Sequence, residues 1–198
     1  MIKIALTGNI GSGKTTVMKL FEQYGFPVFN SDLASREAEK DPNMISKFLD
    51  IVGYDVLIDG VIDRNLMRNR VFNDSNLLQQ VNELMVPYVT KKYLNFLKEY
   101  KGEKATIMES AIIFETYNQN KFDVIITVVA DKETRLKRVM ERDGIGEELA
   151  LTKMKNQFSD DHKVKYSDFI IVNEDMPNCD DITILRKQIE QIIKIIIK

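Results

Sequence analysis

The sequence is poor in the residues that build disulfides and metal clusters. Its 198 residues include one cysteine, Cys179, one histidine and no tryptophan. A single thiol can form neither an internal disulfide nor a cysteine-rich metal site, so we expect a reducing compartment, the cytoplasm. An excess of charge of one sign is also lacking, because 28 basic and 30 acidic residues leave a net charge of −2. This balance gives no indication of a nucleic-acid-binding surface.

Long hydrophobic runs are absent as well. The apolar run before Thr7 is too short for the hydrophobic region of a signal peptide, so we expect no secretion. The isoleucine-rich stretch 192–198 is far shorter than the roughly 20 residues of a membrane-spanning helix. Apolar residues recur at helical spacing near this end, which predicts a helix packed on the core and no membrane contact. The residues of this stripe are Ile182, Leu185, Ile189, Ile192 and Ile196.

Short β-branched segments alternate along the chain with longer helical patterns. Most of these segments are apolar without strict alternation, as are strands that are buried on both faces of a parallel sheet. The predicted strands are 3–6, 27–29, 106–108, 124–129 and 169–172. The predicted helices include 15–24, 66–72, 76–97 and 132–142. The fold class is therefore α/β, with a doubly wound parallel sheet.

Two segments are too long for ordinary crossovers between strands. Residues 33–100 are mostly helical in pattern, and residues 132–165 form a second, charged helical excursion. We predict a helical substrate-binding insertion for the first and a helical lid for the second. The nucleotide-binding core then consists of residues 1–32, 101–131 and 166–198.

The most specific motif is a glycine-rich loop. Gly8-Asn9-Ile10-Gly11-Ser12-Gly13-Lys14-Thr15 matches G-x-x-x-x-G-K-[ST] between a predicted strand and a predicted helix. Such a loop wraps its backbone N–H groups around phosphates, and the helix N-terminus adds partial positive charge. Lys14 would contact the β- and γ-phosphates of ATP, and the Thr15 hydroxyl would bind Mg²⁺. The predicted nucleotide-binding residues here are Gly11, Ser12, Gly13, Lys14, Thr15 and Thr16.

A phosphate-binding loop serves kinases, GTPase switches and motor ATPases alike. Two patterns are typical of GTPases. Asp50-Ile51-Val52-Gly53 matches D-x-x-G, and Asn120-Lys121-Phe122-Asp123 matches N-K-x-D. The context of both is wrong, because Asp50 follows a helical pattern and the second motif precedes the strand it should follow. We interpret both matches as coincidences, which favours a small-molecule kinase.

Acidic residues follow two of the predicted strands. Asp32 comes just after the second strand, at the sheet edge that faces ligands in open α/β sheets, and could accept a hydroxyl proton. Its alternative role is to cap the helix that starts near Leu33. Glu109 ends the third predicted strand and could lie near the metal or brace the loop, with a capping or surface role as the alternative.

Three arginines of the predicted lid are spaced three and four residues apart. Arg135, Arg138 and Arg142 would share one helical face and could clamp the γ-phosphate during transfer. The alternative is a solvated face on which they pair with neighbouring acids such as Glu133 and Glu141.

Together these residues resemble one family, the dephospho-coenzyme A kinases. The similar segments occur in family order from near residue 4 to residue 173, and only the C-terminal helix lies outside them. They are Leu6 to Thr16, Asn30-Ser31-Asp32 with Arg36, Ile62-Asp63-Arg64, Leu66, Arg68, Val71-Phe72, Ile112-Ile113-Phe114-Glu115, Arg138, Arg142-Asp143, Gln157, Ser167-Asp168 and Asn173.

The resemblance implies ATP-dependent phosphorylation of the ribose 3′-hydroxyl of dephospho-coenzyme A, the last step of coenzyme A synthesis. It implies a P-loop NTPase-like core with a helical substrate domain and a lid. A nucleoside or nucleotide kinase is the alternative of the same class, and a GTP-binding switch is the alternative of another class. The sequence does not indicate an oligomeric state.

The resemblance also implies roles for single residues. Asp32 is the candidate base, Arg64 and Arg68 belong to the substrate-domain signature, and Arg138 and Arg142 match the lid arginines. Two further residues complete the predicted site, Thr7 for substrate binding and Asn173 beside the adenine.

Several positions depart from the family pattern. Val86-Pro87 replaces a common His-Pro, Ala111 replaces a proline, Asn30 replaces an acidic residue, and Glu109 stands where aspartate is usual. Arg135 falls where the family often has glutamine, so we expect it to be ordinary surface charge. We also expect the only histidine, His162, at the surface.

Overall fold

The computed structural model describes residues 1–174 and 181–197 of the chain. Cys179 lies outside the described residues, and so do the side chains of Arg64 and Arg68. The strands are β1 (Ile2–Thr7), β2 (Val28–Asn30), β3 (Leu57–Ile58), β4 (Val61–Ile62), β5 (Ala105–Glu109), β6 (Val124–Val129) and β7 (Phe169–Val172). The helices are α1 (Lys14–Gln23), α2 (Ser31–Ala38), α3 (Pro42–Val52), α4 (Arg64–Asn73), α5 (Ser75–Glu99), α6 (Lys132–Asp143), α7 (Glu147–Lys155), α8 (Asp160–Lys165) and α9 (Asp181–Ile196).

Five strands form one parallel sheet in the order β2-β5-β1-β6-β7. Strand β1 lies in the middle and pairs with β5 on one side and with β6 on the other. The chain order of the strands reverses at β1, and ligands bind at such switch points, beyond the carboxyl ends of the strands. The predicted doubly wound α/β fold is confirmed, and the loop after β1 lies at its ligand-binding edge.

The main core lies between this sheet and helices α1 and α9. Ile4, Leu6, Ile107 and Ile126 of the sheet are buried together with Val17 and Phe21 of α1. From α9, Leu185, Ile189 and Ile192 are buried in the same cluster, and Ile196 packs at its margin. The predicted docking of the C-terminal helix is therefore confirmed for these four residues. It is wrong for Ile182, which is 41% exposed in the first turn of α9.

The chain divides into two compact units. The first comprises residues 1–30 and 96–198, and the second comprises residues 31–95. Phe96 and the residues after it in α5 belong to the first unit, where the Phe96 ring lies 5.6 Å from that of Phe29 and 4.7 Å from that of Tyr100. The second unit overlaps the predicted insertion at 33–100. The substrate-binding role of that insertion and the lid at 132–165 stay predictions.

The second unit has its own apolar core. Phe48, Leu49 and Val52 of α3 pack with Val56, Met67 and Val71 in this core. A two-stranded antiparallel hairpin, β3 with β4, interrupts the helices. The helical prediction missed this hairpin, because two-residue strands are too short to show an alternating pattern.

The two GTPase-like matches lie outside the context that a GTPase requires. Asp50 lies inside helix α3, and Asn120 lies in a short 3-10 turn before β6. Asp123 uses its carboxylate to accept a hydrogen bond from the backbone N–H of Lys3, at 2.7 Å. Both patterns therefore have structural explanations.

Within the described residues, no helix combines the length and the apolar character that crossing a membrane requires.

Candidate nucleotide-binding site

The glycine-rich loop follows the central strand β1 and leads directly into α1. Gly11 and Gly13 have positive φ angles of 83° and 87°, and Gly13 precedes the first residue of α1. A Cβ atom at Gly11 would lie 2.6 Å from the carbonyl oxygen of Arg135 in α6. A side chain at Gly8 would meet the carbonyl oxygen of Val128 at 2.3 Å. Close backbone packing, as well as the turn itself, therefore requires glycine here.

The loop holds polar groups whose bonding capacity the described residues do not use. The hydroxyls of Thr7 and Ser12 are buried and have no hydrogen-bond partner among the described residues. The backbone N–H groups of Gly11 and Gly13 likewise find no acceptor there. No described side chain caps α1, and its first turn contains no acidic residue. Buried polar groups are normally satisfied, so this concentration of donors fits an anionic ligand.

Lys14, the first residue of α1, folds back over the loop. Its Nζ atom lies 3.4 Å from the carbonyl oxygen of Asn9. Thr15 is exposed in the same turn, and Thr16 donates its backbone N–H to the carbonyl of Gly13 at 3.0 Å. The ammonium group, a hydroxyl and the helix N-terminus thus converge on one side of the loop, as binding of a polyphosphate requires.

Asn173 and Arg138 both donate hydrogen bonds to backbone carbonyl groups of the loop. The Asn173 amide donates to the carbonyl oxygen of Ser12 at 2.8 Å, and Asn173 is itself buried. Arg138 donates to the carbonyl oxygens of Asn173, at 3.1 Å, and Gly11, at 3.3 Å. The structure therefore brings both predicted site residues to the phosphate-binding loop.

The arginines of α6 differ in environment. The sequence interpretation of Arg135 as surface charge is wrong: the residue is 7% exposed and pairs with Asp160 at 2.7 Å. Arg142 has a side chain that is 60% exposed and donates to its neighbour Asp143 at 2.8 Å. Together with Lys153, Arg142 lowers the pKa of the Asp143 carboxyl to about 2. Of the three arginines, Arg135 and Arg138 contact the loop region.

Asn30 and Glu109 depart from the family pattern, and they contact each other. Their strands β2 and β5 are neighbours, with Asn30 in register with Glu109. The Asn30 amide donates to a Glu109 carboxylate oxygen at 3.1 Å, and Glu109 is 4% exposed. Two ionised carboxylates here would repel each other, whereas an amide and a carboxylate form a hydrogen bond. The two departures are therefore linked by a direct hydrogen bond.

The predicted magnesium ligand, Thr15, lies at the start of α1. No cluster of three or more histidine, cysteine, aspartate or glutamate side chains that could hold a metal occurs in the described part of the chain. Mg²⁺ that arrives with ATP needs only one or two protein ligands besides phosphate and water oxygens. Thr15 at the helix start and Glu109 at the end of β5, which is paired with β1, supply a hydroxyl and a carboxylate. This donor set fits Mg²⁺.

Asp32 belongs to the second unit, where it is exposed. Helix α2 begins at Ser31, so Asp32 lies in the first helical turn and does not precede it. The alternative role as a cap in front of the helix is therefore wrong. Arg64 and Arg68 lie on α4, but their side chains are outside the described part of the structure.

His162 is exposed, as predicted, and its ring packs between aromatic side chains. Its centroid lies 4.7 Å from that of Phe158 and 4.9 Å from that of Tyr166. This packing explains the residue without a catalytic role.

Several contacts of the loop, and one buried ion pair, were not predicted from the sequence. The Gln157 side chain accepts the backbone N–H of Ile10 at 2.7 Å, and Asp160 accepts the Asn9 amide at 2.8 Å. Lys163 is fully buried and pairs with Glu115 at 2.8 Å. Burial lowers the pKa of the Lys163 ammonium group despite this partner. These pairs join residues about 50 to 150 positions apart, and local sequence patterns carry no signal of such pairing.

The fold and the loop define a class of protein. A five-stranded parallel sheet with a phosphate-binding loop after its central strand, and cationic side chains over that loop, is the architecture of a P-loop NTPase-like protein.

The chain belongs to the dephospho-CoA kinase family. The model of the family described as Dephospho-CoA kinase matches residues 2–178. A dephospho-CoA kinase from Listeria innocua is 34% identical over 176 residues, which cover 87% of this chain and 88% of that protein. One from Fusobacterium nucleatum is 33% identical over 171 residues, with 86% and 88% covered.

A solved structure shows the same fold. TT1252 from Thermus thermophilus superimposes with a TM-score of 0.84 at 24% identity, and the match covers 100% of this chain and 98% of that one. The predicted fold and family are therefore confirmed, and neither alternative class is favoured.

Proposed function

We propose that this chain transfers the γ-phosphoryl group of ATP to the ribose 3′-hydroxyl of dephospho-coenzyme A, which yields coenzyme A and ADP. The new bond joins the 3′-oxygen to phosphorus, the bond from phosphorus to the β,γ-bridging oxygen breaks, and the hydroxyl proton passes to a base, for which Asp32 is the candidate. Family membership supports the acceptor. Nucleotide binding is supported by the unused donors of the loop, which are the buried Ser12 hydroxyl and the backbone N–H groups of Gly11 and Gly13.

The loop and Lys14 would hold the triphosphate. Charge builds up on the β- and γ-phosphate oxygens as the phosphoryl group is transferred, so fixed donors lower the barrier most when they are aimed there beforehand. Gly11 and Gly13 would supply loop N–H groups, and Ser12 and Thr16 would supply their hydroxyls. Lys14 would supply a full positive charge.

Mg²⁺ would be held by Thr15 and Glu109 together with phosphate oxygens. When bound, the ion neutralises charge on the β- and γ-phosphates. Asn30, through its hydrogen bond, keeps the Glu109 carboxylate in one orientation at the end of β5.

The residues that we propose for binding the acceptor, dephospho-coenzyme A, are those that the family resemblance implies. Asp32 would orient or deprotonate the 3′-hydroxyl, and Arg64 and Arg68 would bind the acceptor together with Thr7. Asn173 would lie beside the adenine of ATP, a role that the resemblance implies. We also propose that the enzyme works in the cytoplasm.

A direct assay tests this function. Purified protein is incubated with ATP, Mg²⁺ and a panel of acceptors (dephospho-coenzyme A, nucleosides and nucleoside monophosphates), and the products are weighed by mass spectrometry. We expect phosphate to be added to dephospho-coenzyme A alone. Transfer to a nucleoside or nucleotide instead would contradict the assigned acceptor. A preference for GTP over ATP with no transfer to any acceptor would support a switch protein.

The lid arginines provide a test of the transfer step. Arg138→Ala and Arg142→Ala are each expected to slow single-turnover transfer by about tenfold to a hundredfold, the effect of losing one hydrogen bond to a charged group. Binding of the acceptor should weaken much less, if these cations act mainly on charge that develops during transfer. Lys137→Ala is the control, because Lys137 is an exposed cation on the same helix. Rates equal to that of this control would indicate a solvated face without a catalytic role.

A further inference from the structure

Asn9 occupies one of the variable positions of the phosphate-binding loop, yet it is 4% exposed and firmly bound. Its Nδ2 atom donates to the carbonyl oxygen of Phe158 at 3.0 Å and to Oδ1 of Asp160 at 2.8 Å. A flipped amide would place an oxygen against these two acceptors, so the orientation of the side chain is fixed by its partners. Asn9 thus ties the loop to the start of α8.

The second oxygen of Asp160 extends this contact to α6. Oδ2 accepts a hydrogen bond from the Arg135 guanidinium at 2.7 Å, and Arg135 also donates from Nε to the carbonyl oxygen of Ala130 at 3.1 Å. The backbone of Arg135 lies directly against Gly11. Arg135 therefore contacts one part of the loop by its backbone and another part, through Asp160, by its side chain.

The backbone of Asn9 connects these contacts to the phosphate-binding groups. Its carbonyl oxygen accepts the N–H of Ser12 at 3.1 Å and faces the Lys14 ammonium group at 3.4 Å. Any rotation of Asn9 would move this oxygen, and with it both the turn at Ser12 and the resting position of Lys14. The side-chain bonds of Asn9 therefore bear directly on the geometry that receives the β- and γ-phosphates.

Arg135 also offsets the negative charge of Asp160 near the phosphate-binding loop. A carboxylate bound to the phosphate-binding loop would repel a bound triphosphate unless a cation offset its charge. The Arg135 side chain is 9% exposed and that of Asp160 is 28% exposed, so solvent screens this pair only in part. Arg135 supplies the compensating charge.

We propose that Asn9, Asp160 and Arg135 are positioning residues, here called the Asn9 network, that hold the phosphate-binding loop in the conformation that binds ATP. The proposal rests on the proposed function only for the identity of the nucleotide. None of the three needs to touch ATP, because they act through the Asn9 carbonyl, the turn at Ser12 and Lys14.

Measurements of nucleotide affinity distinguish a positioning role of the Asn9 network from a purely structural one. The dissociation constant of a non-hydrolysable ATP analogue is measured by calorimetry for the full chain, with thermal unfolding followed in parallel. We expect Asp160→Ala to weaken binding about tenfold or more, as loss of a hydrogen bond to a charged group does. Asp161→Ala is the matched control, since Asp161 is an exposed acid in the same helical turn, and it should bind as the wild type does.

A double-mutant cycle tests the path through Asn9. Asn9→Ala and Asn9→Ala with Asp160→Ala should each weaken binding by about as much as Asp160→Ala alone, because both changes break the same link. Effects that multiply instead would overturn the proposal. So would an unchanged dissociation constant in a folded Asp160→Ala protein. If that variant does not fold, Asp160→Asn replaces it, since its carbonyl oxygen still accepts from Asn9 while the ion pair is lost, and a smaller loss is expected.

Substitution of Arg135, the third residue of the Asn9 network, tests the charge argument independently. Arg135→Met leaves the Asp160 carboxylate uncompensated, so binding of the triphosphate analogue should weaken more than binding of adenosine. Adding Asp160→Asn to Arg135→Met should restore part of the loss, and failure of this rescue would contradict the charge argument. A wild-type protein that does not bind the ATP analogue would instead refute the proposed function.

Discussion

Lys14→Ala is expected to lower the rate of phosphoryl transfer by about 10²–10³-fold, the cost of removing a donor that is aimed at developing charge. Lys14 is the first residue of α1, and its ammonium group is held over the loop by the carbonyl oxygen of Asn9. It is the one residue of the motif that brings a full positive charge to the β- and γ-phosphates. A neutral methyl group at this position removes that charge from the phosphate-binding loop.

The measurement is single-turnover transfer to dephospho-coenzyme A with saturating ATP. Lys19→Ala serves as the control, because Lys19 is an exposed lysine on the same helix, and it should retain the wild-type rate. Both variants should unfold at nearly the wild-type temperature, since Lys14 is only half-buried. A folded Lys14→Ala protein with unchanged turnover would contradict the assignment of the phosphate-binding loop.

The loop could be predicted from the sequence because its requirements are local. Gly11 and Gly13 adopt positive φ angles, and a lysine and a threonine must follow in the first helical turn. The strands β1, β6 and β7 were also predictable, since apolar and β-branched residues occupy most of their positions. Each of these features is determined by residues that are adjacent in the chain.

The environment of Arg135 was not predictable in this way. Helical spacing placed it on one face with Arg138 and Arg142, but spacing does not tell which part of that face is covered by another segment. Asp160 covers Arg135 from α8, 25 residues further along the chain. A buried ion pair leaves no periodic pattern, because its partners come from different elements.

The pair of Asn30 and Glu109 shows what the structure adds to a family pattern. Separately, each is an unexplained departure from the residues that are usual in the family. The register of β2 with β5 brings the two side chains into contact, and the Asn30 amide donates a hydrogen bond to the Glu109 carboxylate. A departure from a family pattern is therefore best judged together with the residues that it contacts.

Asp32→Asn is expected to lower the single-turnover rate by about 10²–10⁴-fold if the carboxylate acts as a general base. A loose, dissociative transition state requires less deprotonation of the attacking hydroxyl, which would shift the loss toward the lower end of that range. Asp32 is exposed in the first turn of α2, where a negative charge interacts favourably with the helix N-terminus. Loss of that interaction costs at most about 1 kcal/mol, so the variant should fold and bind ATP normally.

Asp32→Glu separates the charge of the side chain from its position. Glutamate keeps the negative charge near the helix N-terminus and should preserve the unfolding temperature, but its carboxylate is carried one methylene further from the backbone. Catalysis by a placed base requires the carboxylate within hydrogen-bonding reach of the 3′-hydroxyl, so this variant should also transfer phosphate slowly. Single-turnover measurements isolate this chemical step from product release. If Asp32→Asn transfers phosphate at nearly the wild-type rate, the carboxylate contributes only to the stability of α2, and the base must be sought elsewhere.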